Sequence, residues 1–256
     1  MRVSSIQLEM KDGQVKEQMI DHALAMMEKA RGSDLILLPE IWNIGFFAYD
    51  RYVAESEAID GPTATALAAK AKDLGCYVFS GSFVESRDGK HYNTSLLFDR
   101  EGKRIGEYRK IHLFSYQSRE PEILTAGRDI AVVPTEFGPF GLSTCYDLRF
   151  PELYRAMVDR GAEFFLVTSG WPFPRLAHWL IFNQARAVEN SAFLFSCNAC
   201  GVQSGTRFLG HSQIVDPWGI VVAGSGHDPA IVTADVDPSL VARTRREFPA
   251  LRDRVL

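Results

Sequence analysis

Long hydrophobic runs, excess positive charge and abundant cysteine are all missing from this chain of 256 residues. No run approaches the ~18 consecutive apolar residues that a membrane-spanning helix needs. The formal net charge of −4 gives no reason to expect nucleic acid or an anionic membrane surface as a partner. The first residues read as a strand and lack the apolar segment and cleavage site of a signal peptide. We therefore expect a cytoplasmic protein that binds neither nucleic acid nor membrane.

The chain has only four cysteines, and two of them, Cys197 and Cys200, form a Cys-x-x-Cys sequence. In a cytoplasmic protein, free thiols are favoured over disulfides. No second Cys-x-x-Cys or Cys-x-x-His follows to complete a zinc site. Redox pairs usually open a helix, whereas this pair ends an apolar, strand-like run. A structural role is therefore favoured, with a redox protein built on these two thiols as the alternative.

Strand-like and helix-like stretches alternate along the chain without a low-complexity linker or a clear repeat. About eleven runs are strand-like, including residues 76–84 and 141–145, whereas only five longer stretches have helical spacing of apolar residues. Mixed sheets are therefore favoured over a purely parallel sheet. A two-sheet sandwich of the α/β class, with helices on its outer faces, satisfies this pattern. The charged stretch 243–256 is predicted to be a tail that packs on a partner subunit.

Three chemically active side chains, Glu40, Lys110 and Cys145, each follow an apolar run. If these runs end at one edge of the fold, an acid, an ammonium and a thiol meet there. A helix-like segment opens soon after Cys145, and a helix N-terminus favours a thiolate and a developing oxyanion. An ammonium beside a thiol lowers the pKa of that thiol. The alternatives are a helix cap or surface ion pair for Glu40, a solvated strand for Lys110 and a core thiol for Cys145.

Six segments that span nearly the whole chain carry a family resemblance: Leu37-Leu38-Pro39-Glu40, Tyr108-Arg109-Lys110-Ile111-His112-Leu113, Cys145-Tyr146-Asp147-Leu148-Arg149-Phe150-Pro151-Glu152, Gln184-Ala185-Arg186-Ala187-Val188-Glu189-Asn190, Gly210-His211-Ser212 and Asp216-Pro217-Trp218-Gly219. In their order and spacing they resemble the nitrilase superfamily of carbon–nitrogen hydrolases. This resemblance implies an α-β-β-α sandwich of two mixed β-sheets flanked by helices, formed by residues 1–256 as a single domain and assembled as a homodimer or higher homo-oligomer.

The same resemblance implies a catalytic triad of Glu40, Lys110 and Cys145, with a second glutamate beside it. Glu120 fits the position of this second glutamate best, and Glu122 is the alternative.

The implied reaction is amide hydrolysis through a thioester. Cys145 attacks the amide carbonyl, and Glu40 takes and delivers protons. Lys110 and the backbone N–H of Tyr146 hold the oxyanion. Ammonia leaves and water hydrolyses the thioester, so that one difficult step becomes two easier ones. Neither a metal nor an organic cofactor is expected.

Two further segments, Ser169-Gly170-Trp171-Pro172-Phe173-Pro174-Arg175-Leu176-Ala177-His178-Trp179 and Ala199-Cys200-Gly201, resemble the ω-amidase branch of the superfamily. Enzymes of this branch cleave the terminal amide of short oxo-dicarboxylic monoamides such as 2-oxoglutaramate. Such an enzyme must hold a carboxylate remote from the amide, and a guanidinium does this through paired N–H donors. Arg175 is the candidate, with Trp171 and Phe173 as an apolar wall; the alternative is that Arg175 caps the following helix or faces solvent. Arg149 is predicted to form a structural ion pair with Glu152.

Several other functions remain as alternatives. The first group consists of other carbon–nitrogen hydrolases: an aliphatic amidase, an N-carbamoyl-amine hydrolase or a nitrilase. A carbamoyl substrate that ends in an ammonium would require an acidic pocket in place of Arg175. A non-catalytic binding subunit that kept the fold is a further class, and the occupation of all three triad positions weighs against it.

Overall fold

The structure of the protein is a computed structural model that describes residues 1–255. Leu256, the last residue of the predicted tail, lies outside the described residues. Six α-helices are present in the described part: α1 Lys16–Lys29, α2 Pro62–Leu74, α3 Glu120–Ile123, α4 Pro151–Asp159, α5 Leu176–Asn190 and α6 Ser239–Glu247. Two 3₁₀ helices cover Tyr49–Arg51 and Cys145–Arg149.

Residues 1–255 also contain sixteen strands: β1 Arg2–Gln7, β2 Glu9–Lys11, β3 Leu35–Leu37, β4 Tyr77–Phe79, β5 Phe83–Arg87, β6 Lys90–Phe98, β7 Arg104–Arg109, β8 Val132–Val133, β9 Phe140–Thr144, β10 Phe164–Ser169, β11 Phe193–Asn198, β12 Cys200–Gln203, β13 Thr206–Arg207, β14 Gln213–Val215, β15 Val221–Gly224 and β16 Ala230–Asp235. The prediction of about eleven strands was therefore wrong. The strands that it lacked include β2 and β13, which are too short to show an alternating pattern.

Two large mixed sheets contain most of these strands. The first has the order β16-β1-β3-β4-β6-β5, with β7 also paired to β6, and the second has the order β15-β14-β11-β10-β9-β8. Strands β1, β3 and β4 are parallel, and so are β9, β10 and β11, whereas the outer pairings are antiparallel. The carboxyl ends of parallel strands lie on the same side of a sheet. In each sheet the three parallel strands are the central ones, so their carboxyl ends lie next to one another.

Because side chains alternate along the strands, both faces of each sheet are buried, and the fold has four layers with three core clusters between them. Leu35 and Leu37 of β3 face the space between the sheets, where they join Phe140 and Phe164 from the second sheet. Ile36 points the other way, into the layer shared with α1 and α2. A third buried cluster lies between the second sheet and the helices α4 and α5. This arrangement confirms the predicted α-β-β-α sandwich.

The stretch 76–84, predicted as one strand, is interrupted after β4. Gly81 has a φ of +67°, which is the left-handed region that favours glycine. The interruption brings Ser82 to the segment that follows β3: its N–H donates to the carbonyl of Pro39 (3.0 Å), and its hydroxyl accepts the N–H of Ile41 (3.0 Å). The break therefore fixes the backbone on both sides of Glu40.

The predicted tail at 243–256 begins inside α6, because residues 239–247 are helical. Beyond the helix, Arg254 forms an ion pair with Asp159 at the end of α4. Arg245 donates to the carbonyls of Ala162 and Ser191. The tail is therefore attached to its own subunit. Among the described residues, no helix has both the length and the apolar character needed to cross a membrane.

We predict that Gly81→Ala destabilises the protein far more than Gly89→Ala. A β-carbon at position 81 would lie 2.0 Å from the carbonyl oxygen of Pro39, whereas nothing lies within 4 Å at position 89, where φ is +71°. Gly89→Ala therefore measures the cost of the left-handed backbone conformation alone, which is about 1–2 kcal/mol of unfolding free energy. Gly81→Ala adds a backbone clash, for a total of about 3 kcal/mol or more. Urea unfolding measures both values, and equal losses would contradict the proposed clash.

Candidate active site

The structure brings the three predicted side chains to adjoining strand ends. Glu40 follows β3, Lys110 follows β7 directly, and Cys145 follows β9 directly. The two sheets are tied together here: the N–H of Glu40 donates to the carbonyl of Ser169 at the end of β10 (3.3 Å). Glu40 and Lys110 are completely buried, and Cys145 is 5% exposed. The three side chains therefore lie together in one buried site between the sheets.

Lys110 lies between two carboxylates. Its Nζ is 2.8 Å from Glu40 Oε1 and 3.0 Å from Glu120 Oε2. Glu120 is completely buried, whereas Glu122 is exposed and pairs with Arg119 at the surface. Glu120 is therefore the carboxylate that joins the buried cluster. The solvated position considered for Lys110 was wrong.

Asn93, which the sequence interpretation missed, connects the two carboxylates. Its Nδ2 donates to Glu40 Oε1 (2.8 Å) and to Glu120 Oε1 (2.9 Å). Backbone donors complete the set: the N–H of Gly170 to Glu40 Oε2 (2.8 Å) and the N–H of Phe114 to Glu120 Oε2 (2.7 Å). The run Asn93-Thr94-Ser95, which is buried and polar within β6, is the sequence signal that could have identified Asn93.

The ionisation of the cluster follows from its charges. Burial alone would lower the pKa of Lys110, but the charges of Glu120 and Glu40 raise it well above its usual value. Burial raises the pKa of Glu120, and Glu40 adds to this effect, whereas Lys110 opposes it. One cation thus faces two buried carboxylates, and Glu120 depends on Lys110 for its charged form.

Cys145 has a left-handed backbone conformation, with a φ of +49°, which is uncommon for a residue other than glycine. The carboxylate of Asp147 stabilises this turn. It accepts the N–H of Thr144 (2.9 Å), the hydroxyl of Tyr108 (2.6 Å) and the N–H of His112 (3.0 Å). The turn that carries Cys145 is therefore fixed to the end of the strand that carries Lys110.

The Cys145 thiol is not poised as a thiolate. Burial is the largest influence on its pKa and the charge of Glu40 the next, and together they raise the pKa well above its usual value. Lys110 and Ser169 act in the lowering direction but are outweighed. The neighbouring ammonium lowers this pKa as expected, but burial and Glu40 outweigh it, so the net pKa lies above its usual value. The thiol keeps its proton until a base accepts it, and Glu40 is the neighbouring carboxylate.

Cys197 and Cys200 lie apart from this cluster, on β11 and β12. Both are buried free thiols, and the thiol of Cys197 donates to the carbonyl of Ile6 (3.1 Å). Burial raises the pKa of Cys197 well above its usual value and that of Cys200 to about 12. Thiols with such pKa values are poor nucleophiles for disulfide exchange, so the structure favours the structural role.

Two adjoining cavities, which share four lining residues, lie beside Cys145. The inner cavity, of about 10 Å³, contacts Cys145, Tyr146, Trp171 and Arg149. The outer cavity, of about 520 Å³, shares Tyr146 and Arg149 and extends to Phe173 and Arg175. Of the predicted substrate-binding residues, Tyr146 and Trp171 thus lie next to the thiol. The other two lie only in the outer cavity.

Arg149 occupies the junction of the two cavities. Its guanidinium lies 4.7 Å from the centre of the Trp171 ring, and it contacts His178 Nδ1 at 3.2 Å. Among residues 1–255 it has no carboxylate partner, so the predicted ion pair with Glu152 was wrong. The 3₁₀ helix that follows Cys145 turns Arg149 back over the cavity, whereas Glu152 is exposed at the start of α4. This local turn was not visible in the sequence.

Comparison with known proteins gives consistent results. Residues 2–246 match the carbon–nitrogen hydrolase family. The chain is 34% identical to the 2-oxoglutaramate amidase of Paenarthrobacter nicotinovorans, over 98% of this chain and 88% of that protein. It is 33% identical to the 2-oxoglutaramate amidase of Bacillus subtilis, over 98% of this chain and 96% of that protein. The fold matches the crystal structure of Nit3 from Saccharomyces cerevisiae, a member of branch 10 of the nitrilase superfamily, with a TM-score of 0.92. The two chains are 29% identical, and the match covers 100% of this chain and 97% of Nit3.

We predict that Lys110→Met destabilises the protein by about 3–5 kcal/mol at pH 8 and by less at pH 5. In the variant, the two buried carboxylates repel each other, so at least one of them has a folded-state pKa above its unfolded value. A carboxyl group with a raised pKa contributes stability at low pH, where it is protonated, and this contribution is lost as the pH rises through the folded-state pKa. The variant is therefore less destabilised at pH 5 than at pH 8. Urea unfolding at both pH values, relative to wild type, measures the effect.

Two controls accompany this measurement. Lys110→Met with Glu120→Gln should regain part of the loss at pH 8, because one repelling charge is gone. Lys90→Met, at an exposed position of β6, should change stability by no more than about 0.5 kcal/mol. A loss for Lys110→Met that is independent of pH would contradict the charge argument.

Proposed function

This chain belongs to the carbon–nitrogen hydrolase family, and we propose that it hydrolyses the terminal amide of a small amide that carries a carboxylate, with 2-oxoglutaramate as the leading candidate. The observation that carries this proposal is the guanidinium of Arg149, which faces the cavity beside Cys145 without a carboxylate partner among the described residues. The two amidases named above support the choice of compound.

In the proposed mechanism, Cys145 Sγ attacks the amide carbonyl while Glu40 accepts the thiol proton. The new oxyanion is held by Lys110 and the backbone N–H of Tyr146. Glu40 then gives its proton to the nitrogen, the C–N bond breaks, and ammonia leaves. Water loses a proton to Glu40 and hydrolyses the thioester, which restores the thiol. Glu120 holds Lys110 in position through the 3.0 Å contact.

The sizes of the cavities suggest how such a substrate lies. The inner cavity, of about 10 Å³, is too small for a whole dicarboxylic chain. The remainder of the substrate must extend through the junction, where Arg149 lies. We therefore propose Arg149, in place of Arg175, as the partner of the substrate carboxylate, with Trp171 and Tyr146 as the walls.

The charge of the cavities favours this proposal over a carbamoyl-amine substrate. In the described structure, the charged residues that line the two cavities are Arg149 and Arg175. An ammonium group would meet two cations and no lining carboxylate. A neutral aliphatic amide fits the apolar walls and remains the second candidate, because it needs no charged partner.

We further propose that the chain forms a homodimer through an apolar surface on α5. Ile181 and Val188 lie seven residues apart on one side of this helix, and Trp218 and Phe248 lie 6.1 Å apart beside it. These four side chains are between 42% and 61% exposed. A hydrogen bond from α5 ties the loop of Trp218 to the helix. Contiguous exposed apolar groups of this kind mark interaction surfaces, and a second copy offers the same surface.

Ammonia release tests the proposed activity. We expect turnover of 2-oxoglutaramate by the wild type, no turnover by Cys145→Ala, and weak or no turnover of N-carbamoylputrescine. Arg149→Gln should raise the KM for 2-oxoglutaramate by about 10–100-fold, since a hydrogen bond to a charged group contributes about 1.5–3 kcal/mol. The same variant should change the KM for a neutral amide of equal length far less. Equal changes for both amides would refute the role of Arg149.

We predict that Ile181→Asp combined with Val188→Asp converts the dimer to a monomer in sedimentation-velocity experiments, because two buried carboxylates on each subunit would lose hydration without a partner. Val53→Asp is the matched control, since Val53 is 57% exposed and lies in another part of the fold. It should leave the sedimentation coefficient unchanged. Dimers that persist in the double variant would show that another surface is used.

A further inference from the structure

Ser169, the last residue of β10, lies beside the nucleophile and has no role in the reaction proposed above. Strands β9 and β10 are parallel, and Thr144 pairs with Thr168. Cys145 and Ser169 each follow this pair by one residue, so they are neighbours where the two strands end. Ser169 is completely buried. Its hydroxyl therefore meets only protein groups, and the thiol of Cys145 is among the nearest of them.

The backbone around Ser169 is held against Glu40. The carbonyl of Ser169 accepts the N–H of Glu40 (3.3 Å) and that of Ala199 (3.0 Å). The next N–H along the chain, that of Gly170, donates to Glu40 Oε2 (2.8 Å). Ser169 is therefore fixed next to both the thiol and the carboxylate that accepts its proton in the proposed reaction.

The hydroxyl of Ser169 differs from other hydroxyls near these strand ends. The hydroxyl of Thr168 donates to the carbonyl of Leu38 (2.9 Å). The hydroxyl of Ser143 is bonded to that of Tyr154 (2.8 Å). Ser169 Oγ, in contrast, has no partner of regular hydrogen-bond geometry among residues 1–255. A buried hydroxyl without a partner is destabilising, and local violations of this kind are characteristic of functional sites.

The thiol responds to this hydroxyl. Burial and then the charge of Glu40 raise the pKa of Cys145, whereas the Ser169 hydroxyl acts in the lowering direction. A hydroxyl donates only weakly to a neutral thiol and more strongly to a sulfur that carries negative charge. Its contribution is therefore largest while the sulfur is charged, and an interaction that strengthens along the reaction raises its rate.

Ser169 lies outside the walls of both cavities, although Gly170 and Trp171, the two residues that follow it, line the inner one. A substrate in these cavities thus contacts Gly170 and Trp171 but not Ser169. The hydroxyl approaches the thiol from the protein interior, so we expect it to affect the chemical steps and not substrate binding.

We propose that the Ser169 hydroxyl donates a hydrogen bond to Cys145 Sγ while the sulfur carries negative charge, and that it is thereby a further residue of the reaction. This inference rests on the proposed function, because it takes Cys145 as the nucleophile. As the C–S bond forms, the thiol proton moves to Glu40. When water has added to the thioester, the C–S bond breaks, its electron pair stays on the sulfur, and the sulfur takes a proton back from Glu40. Ser169 keeps its own proton throughout.

Kinetics of three variants test the proposal. Ser169→Ala should lower the kcat for 2-oxoglutaramate by about tenfold or more, because a hydrogen bond to a charged atom is lost. The KM should change by less than about twofold, because no substrate contact is removed. Ser169→Thr keeps the hydroxyl and should retain much more of the kcat. Ser5→Ala is the matched control and should keep wild-type kinetics: Ser5 is also completely buried with an unpartnered hydroxyl, but it lies on β1 outside both cavities.

Alkylation of Cys145 by iodoacetamide tests the same hydrogen bond without an amide. Peptide mass spectrometry measures the rate at Cys145 between pH 7 and pH 9. Ser169→Ala should react roughly threefold or more slowly than wild type at each pH, since the thiolate is less populated and its higher basicity offsets only part of this loss. Ser5→Ala should react at the wild-type rate.

Stability separates this role from a structural one. Because the hydroxyl has no regular partner to leave unsatisfied, the unfolding free energy of Ser169→Ala in urea should equal or exceed that of wild type. A fall in kcat that is accompanied by a comparable loss of stability would instead indicate a structural hydroxyl and reject the proposal. Wild-type kcat and alkylation rates in Ser169→Ala also reject it, as does an equal loss of kcat in a folded Ser169→Thr protein.

Failure of this inference is distinct from failure of the proposed function. Absence of 2-oxoglutaramate turnover by the wild type overturns the proposed function. Slower alkylation of Cys145 in Ser169→Ala would still support the hydrogen bond to the sulfur in that case. Turnover by the wild type with unchanged alkylation and kcat in Ser169→Ala leaves the proposed function intact and overturns this inference alone.

Discussion

The buried contact between Lys110 and two glutamates is the constraint on which the site depends. Lys110 Nζ lies 2.8 Å from Glu40 and 3.0 Å from Glu120, and all three side chains are completely buried. A carboxylate in such a place is tolerated only with a cation and further donors. Asn93 and two backbone N–H groups supply these donors. Glu40, Lys110 and Asn93 belong to or follow strands of the first sheet, and the N–H of Gly170, after β10 of the second sheet, donates to Glu40, so the second sheet contacts the cluster through Glu40.

Burial is the first reason why the nucleophile is kept as a neutral thiol, and the charge of Glu40 is the second: both raise the pKa of Cys145. In the proposed reaction the thiol proton moves to Glu40 as negative charge appears on the substrate oxygen beside Lys110. The total charge of the buried cluster then stays constant, which is favourable where water cannot screen a change.

Much of this arrangement could be predicted from the sequence, since it depends on local signals. Each of Glu40, Lys110 and Cys145 follows a strand, and the strands before Glu40 and Cys145 are apolar and buried; strand ends meet at an edge. Two features of the site were missed from the sequence. Asn93 acts through contacts to residues 53 and 27 positions away. Arg149 depends on a five-residue 3₁₀ helix that turns its side chain toward the cavity, whereas the sequence analysis predicted Glu152 as its partner. The break at Gly81 was missed for a similar reason, because only the approach of Pro39 requires it.

Charge is also distributed unevenly along the path from solvent to the thiol. At the floor, two carboxylates and one ammonium leave an excess of negative charge, whereas the junction and the outer cavity present Arg149 and Arg175. A monoamide of a dicarboxylic acid has one neutral end and one anionic end. The floor repels its carboxylate and the arginines attract it, so the field favours entry with the amide first. The correct orientation at Cys145 therefore does not require a close fit around the whole substrate. It requires only that the two signs of charge lie in this order along one narrow cavity, and the buried cluster sets that order.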